Sequence, residues 1–154
     1  MPPEYRARIE AARPQLYTIA RDRYHRPLNP GPFGINSRTA LVAEKVASSM
    51  GRANDFHDAV MRSYWSDARD ISNISVLADC AGEVGLDRAL FEAALDDPVF
   101  DRLVQADVEQ AHAYGINSVP ALIFNDKYLV SGAQPADVLR QVVERIVQES
   151  TPAT

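Results

Sequence analysis

Along most of this chain the apolar residues recur three and four positions apart, the spacing that lines one face of an α-helix. Glu4 to Arg13 has helical composition. Pro14 is expected to end or kink that helix, because proline lacks an amide hydrogen and crowds the preceding turn. Gln15 to Tyr24 resumes the pattern, with Leu16, Ile19 and Ala20 on one face. Pro27 to Gly34 holds three prolines and two glycines, which predicts a stiff loop. Asn36 or Ser37 is placed to cap a helix reaching Met50, with Gly51 closing it in the left-handed conformation. A helix from Asn54 to Ser66 is expected to bury Phe56, Val60, Met61 and Tyr64.

Ser72 or Asn73 opens the next helix, in which Leu77, Cys80, Ala81 and Val84 fall on one stripe before Gly85 stops it. Asp87 caps a short helix to Leu95. Asp97-Pro98 pairs an acidic cap with proline at the first helical position, and that helix runs to Tyr114 and stops at Gly115. Then the texture changes. Pro120-Ala121-Leu122-Ile123-Phe124 is an unbroken apolar run, Asn125-Asp126-Lys127 is a turn, and Tyr128 to Gly132 is a second strand: a β-hairpin. Gln134-Pro135 opens a last helix with a wide apolar face of Val138, Leu139, Val142, Val143, Ile146 and Val147.

The hairpin poses a problem. A strand apolar on both faces is the pattern of one buried inside a sheet, whereas a half-exposed hairpin alternates. Two strands alone are marginally stable, and an open apolar edge invites pairing with another chain. The pattern therefore reads as part of a sheet, and predicts self-association or a complementing chain through the Ala121–Phe124 edge.

Composition narrows the class. With 154 residues, 46% hydrophobic and 24% charged, the chain is an ordinary globule of one domain or one domain with a small insert. No run approaches the roughly 18 apolar residues of a membrane span. The opening Met1-Pro2-Pro3-Glu4-Tyr5-Arg6 has no apolar stretch behind its charges, so no secretory signal is read there and the expected compartment is the cytoplasm. Residues 1–38 hold seven arginines against Glu4, Glu10 and Asp22, a balance of +4, while the rest of the chain carries −9. A solvated helix face accounts for that asymmetry better than a nucleic-acid surface, and no nucleic acid is expected as partner.

One cysteine, Cys80, leaves no partner for a disulfide within the chain and too few thiols for a Cys-rich zinc site. Its place on the Leu77–Val84 stripe makes it a small core residue. His25, His57 and His112 lack metal-ligand spacing; a bundle hydrogen bond suits His57 better than catalysis, and Tyr64 and Trp65 read as anchors of the helices. Glu109 and His112, three apart, decide nothing. No metal or cofactor is expected, and no catalytic residue is assigned.

Gly115-Ile116-Asn117-Ser118-Val119-Pro120-Ala121-Leu122-Ile123-Phe124, then a hairpin, then Ser131-Gly132-Ala133-Gln134-Pro135, resembles the end of DsbA-family thioredoxin-fold proteins, nearest to the FrnE-like thiol–disulfide oxidoreductases. Asn36-Ser37-Arg38, His57, Ala59 to Trp65, Arg69-Asp70-Ile71 and Gly85-Leu86-Asp87 are similar to the helical insert of that branch. The resemblance implies an α/β, mostly helical, partial thioredoxin-like fold: a helical insert over residues 1–97 and, over 98–154, the helix, hairpin and closing helix of the thioredoxin core. It implies a cis Val119–Pro120 peptide and a substrate groove shaped by Ser118, Val119 and Pro120, for a thiol- or disulfide-containing peptide or small molecule.

Members of that family open with a strand–helix–strand unit carrying Cys-x-x-Cys, or, in isomerase-like relatives, a serine that handles glutathione. Neither pattern occurs here. The expectation is a truncated, redox-inactive member whose dithiol lies elsewhere. Two alternatives stand beside it: a non-enzymatic peptide-binding or dimerisation module using the open strand edge, and a fragment of a glutathione-dependent 2-hydroxychromene-2-carboxylate isomerase-like enzyme.

Overall fold

A computed structural model describes residues 2–26, 28–29 and 31–150, so Met1 and two prolines of the stiff loop, Pro27 and Pro30, lie outside the described residues. In chain order the elements are α1 (Pro3–Tyr24), α2 (Arg38–Ser49), α3 (Ala53–Trp65), α4 (Ile74–Glu83), α5 (Arg88–Ala94), α6 (Pro98–Ala113), β1 (Ala121–Phe124), β2 (Tyr128–Ser131) and α7 (Ala136–Ser150). They form two compact units, residues 1–105 and 106–154, so the division falls inside α6.

The helical unit is organised around α2 to α5, which pack against one another. Its core holds Val46, Phe56, Leu77, Cys80 and Phe91, each fully buried, with the Phe56 and Phe91 rings 5.3 Å apart. Phe100, from the start of α6, packs against this cluster. The caps explain where the helices begin. Asn73 Oδ1 accepts from the Ser75 amide, Asp87 Oδ1 from Leu90 and Asp97 Oδ1 from Val99, each at 2.9 Å. At α2 the cap is Asn36, whose Oδ1 accepts from the Arg38 amide at 3.0 Å; Ser37 makes no side-chain cap bond.

Two expectations need correction. Pro14 does not end the first helix, and α1 runs through it. Pro14 is exposed, and so is Glu10, whose carbonyl proline leaves without a helical donor and which can turn to water. Met61 is not buried either: it is 40% exposed. The buried stripe of α3 runs through Phe56, Ala59, Val60 and Ser63, and Met61 sits one step round the helix from it.

In the second unit β1 and β2 pair antiparallel, with Ala121 opposite Ser131, Leu122 opposite Val130, Ile123 opposite Leu129 and Phe124 opposite Tyr128. Asn125 and Asp126 take φ of 52° and 54°, a left-handed pair that short polar side chains tolerate, and the Lys127 amide donates to the Phe124 carbonyl at 3.1 Å. Tyr128 Oη donates to Glu149 Oε2 at 2.6 Å, tying β2 to α7. The apolar face expected of α7 is only partly covered: Ile146 is buried, whereas Val143 and Val147 are 43% and 59% exposed.

Candidate functional site

The loop from α6 into β1 is built by a helix stop. Gly115 takes φ 71°, its amide donates to the His112 carbonyl at 2.9 Å, and the Ile116 amide reaches back to Ala111 at 3.0 Å. This double closure is a Schellman motif, which needs a left-handed residue after the helix and so favours glycine. Tyr114 Oη, at the same helix end, donates to Asp126 Oδ1 in the hairpin turn at 3.3 Å.

Beyond the stop the chain is exposed through Asn117, Ser118, Val119 and Pro120. The Val119–Pro120 peptide is cis. The Gly132 amide donates to the Pro120 carbonyl at 2.8 Å, which binds the end of the loop to the end of β2. Gln134 Nε2 donates to the Ser131 carbonyl at 2.8 Å and holds that strand end in turn. Val119, at 87%, is the most exposed of the large apolar side chains among the described residues. Ser118, Val119 and Pro120 are thus presented together, on a loop anchored at both ends.

Residues 20–144 match the DSBA-like thioredoxin domain. The chain belongs to that family. Among relatives of this DSBA-like chain, the protein named "Uncharacterized protein YwbO" of Bacillus subtilis (strain 168) is 26% identical over 117 residues, covering 75% of this chain and 56% of its own. A crystal structure described as a probable DsbA oxidoreductase of Streptomyces coelicolor matches with a TM-score of 0.78 and 26% identity, over 96% of this chain and 64% of that one. Pseudomonas aeruginosa DsbA shares the fold at a TM-score of 0.64 and 22% identity, over 80% of this chain and 68% of that one. The DSBA-like chain therefore spans about half to two thirds of the length of the first two.

The one thiol belongs to the helical unit. Cys80 lies inside α4 and is fully buried. Burial pushes its pKa up, and the neighbouring Ser63 hydroxyl opposes this more weakly. A nucleophilic cysteine requires the opposite environment, exposed and with its pKa lowered. Ser63 itself is buried, and its Oγ makes no hydrogen bond of ordinary geometry.

His57, Tyr64 and Trp65 sit in the helical unit, whereas Glu109 and His112 belong to the second. His57 faces Glu44 across α2 and α3, Nδ1 to Oε1 at 3.4 Å. Tyr64 Oη donates to the Pro32 carbonyl at 3.2 Å, which anchors the proline-rich loop, while Trp65 remains 37% exposed. No helix among the described residues is long and apolar enough to cross a membrane.

Proposed function

We propose that this chain is the substrate-facing part of a DsbA/FrnE-like thiol–disulfide oxidoreductase, with no redox turnover of its own. The observation that carries this reading is the exposure of Ser118, Val119 and Pro120 on a doubly anchored loop in a DSBA-like chain whose one thiol is fully buried. On this reading the loop offers its backbone and the Val119 side chain to a thiol- or disulfide-containing peptide or small molecule. Residues 1–97 act as the helical insert and 98–154 as the carboxy-terminal part of the thioredoxin-like domain. The attacking dithiol comes from a strand–helix–strand unit outside this sequence, in cis or on a second chain. The cytoplasm suits such a chain, since a core held by packing with its one cysteine buried needs no oxidising compartment to form disulfides.

Insulin reduction with dithiothreitol tests it. The chain alone and its Cys80→Ser variant are expected to show no turnover above the uncatalysed rate. Adding a strand–helix–strand unit with Cys-x-x-Cys is expected to give activity that falls when Val119 is replaced by aspartate. Turnover by the chain alone that survives Cys80→Ser overturns the reading, because no thiol would remain to explain it. Activity that instead needs a serine-bearing unit and glutathione assigns the isomerase side of the family.

A second reading has its own support. Among the described residues of 106–154, Ile146 is the one buried apolar side chain, and Leu122 and Leu129 on the two faces of the hairpin are 40% and 41% exposed. We infer a non-enzymatic module that pairs through the β1 edge with a second copy or a complementing chain. A well-folded monomer in sedimentation at tens of micromolar, within the range where open edges aggregate, sinks it.

A further inference from the structure

Between α2 and α3 the helical unit encloses a cavity of about 190 Å³. Its floor is Ala40, Phe56, Val60 and Ile71, none more than 8% exposed, while Leu41 and Met61 at its mouth are 46% and 40% exposed. Sites that enclose a whole drug-sized ligand run to roughly 300–1,000 Å³, so this one has room for a single aliphatic side chain. Met61 gives it an adaptable lip, since an unbranched thioether fits itself to varied apolar shapes.

The mouth also has a sign. Glu44 and His57 stand there, and Glu44 is its carboxylate. His57 Nδ1 lies 3.4 Å from Glu44 Oε1, and a carboxylate offers about four acceptor positions, so Glu44 has room for a second donor. Trp65 follows Met61 by one turn on the same side of α3, an aromatic surface of the kind that attracts cations.

We propose that this cavity is a side-chain pocket for a short peptide segment, taking one aliphatic side chain whose neighbour is a lysine or arginine that folds back to rest at Glu44. An apolar residue alone would fill the cavity without using the mouth. An acidic neighbour would face the carboxylate. This binding needs no thiol, so it stands whether or not the redox reading does.

The full chain labelled at its methionine methyl carbons reads the pocket by nuclear magnetic resonance, with Met61 at the mouth and Met50, at the end of α2, as the internal control. N-acetyl-leucyl-lysine amide is expected to shift the Met61 methyl saturably, with a dissociation constant on the order of a millimolar, because one buried leucine gains little against the cost of association. N-acetyl-leucyl-glutamate amide is expected to bind about threefold to fivefold more weakly, the range of one exposed ion pair. N-acetyl-alanyl-lysine amide is expected not to saturate. Glu44→Lys, at a half-exposed position, should reverse the preference between the lysine and glutamate peptides. An unmoved Met61, Met61 and Met50 moving together, or equal affinity for the two leucyl peptides in the unaltered chain would each overturn the assignment.

Discussion

Arg38, in the first turn of α2, grips Asp101, in the first turn of α6, through two parallel bonds of 2.8 Å, Nε to Oδ1 and Nη2 to Oδ2. The guanidinium fork matches a carboxylate in this two-pronged way, which a lysine ammonium cannot do. The hydrogen bond from Arg38 holds the Asp101 carboxyl below its ordinary range. A carboxyl whose folded pKa is depressed stabilises the fold fully above the ordinary carboxylate range. That contribution is lost as pH falls through the folded pKa. Arg38→Lys and Asp101→Asn should therefore lower the melting temperature at about pH 7, and the deficit should narrow as the melts are taken down to about pH 3. The pair is exposed, so the deficit should be small; equal deficits at both pH values would refute the coupling.

Phe56 and Phe91 test the core. Both are fully buried, on α3 and α5, with ring centroids 5.3 Å apart. Phe91→Ala removes a large side chain from a packed site and should cost about 3–5 kcal/mol in urea unfolding. Loss of less than about 1 kcal/mol would mean that the site collapses freely, as close-packed interiors do not.

Cys80 should behave as a protected thiol. With its pKa raised by burial, it is protonated at neutral pH and out of reach of reagents. Ellman's reagent is expected to react only as the chain unfolds in urea, with the labelling midpoint following the unfolding midpoint. A raised folded pKa also means that this position's contribution to stability fades as pH rises past the ordinary thiol range. Beside it, Ser63 buries a hydroxyl that makes no hydrogen bond of ordinary geometry and has the weakly interacting Cys80 thiol next to it, so Ser63→Ala should raise stability by roughly 1 kcal/mol. A loss of that size would show instead that the hydroxyl is bonded, with the Cys80 sulfur as its one evident partner.

What was legible in the sequence was mostly local. Asn73, Asp87 and Asp97 cap helices through bonds to amides two or three residues on, so the signal and its effect share one stretch of chain. The periodicity gave α4 its buried Leu77, Cys80 and Ala81 for the same reason. Pro14 does not end α1 because its effect depends on surroundings: on an exposed stretch the freed carbonyl is open to solvent, and the helix continues. Met61 misled because a helical stripe has soft edges, and one step of rotation moved it from floor to lip. Ser118, Val119 and Pro120 were found through a family resemblance, since nothing in three such residues alone announces a groove. The pocket at Glu44 escaped notice because it joins α2, α3 and Ile71, which only folding brings together.

Gly115 links the helix stop to the exposed loop, and its substitution is the sharpest local test. Its φ is 71°, and a Cβ built there would meet nothing within 4 Å. Any cost of Gly115→Ala is therefore conformational rather than steric crowding, and a left-handed alanine costs about 1–2 kcal/mol. Asparagine tolerates that region better, so Gly115→Asn should cost less than Gly115→Ala. The same change should disturb the Ile116 bond to Ala111, and with it the path of the chain toward Ser118, Val119 and Pro120. Amide exchange at Ile116 is expected to quicken in the alanine variant and to recover in the asparagine one. If alanine is tolerated without cost and Ile116 exchange is unchanged, the left-handed stop does not position the loop.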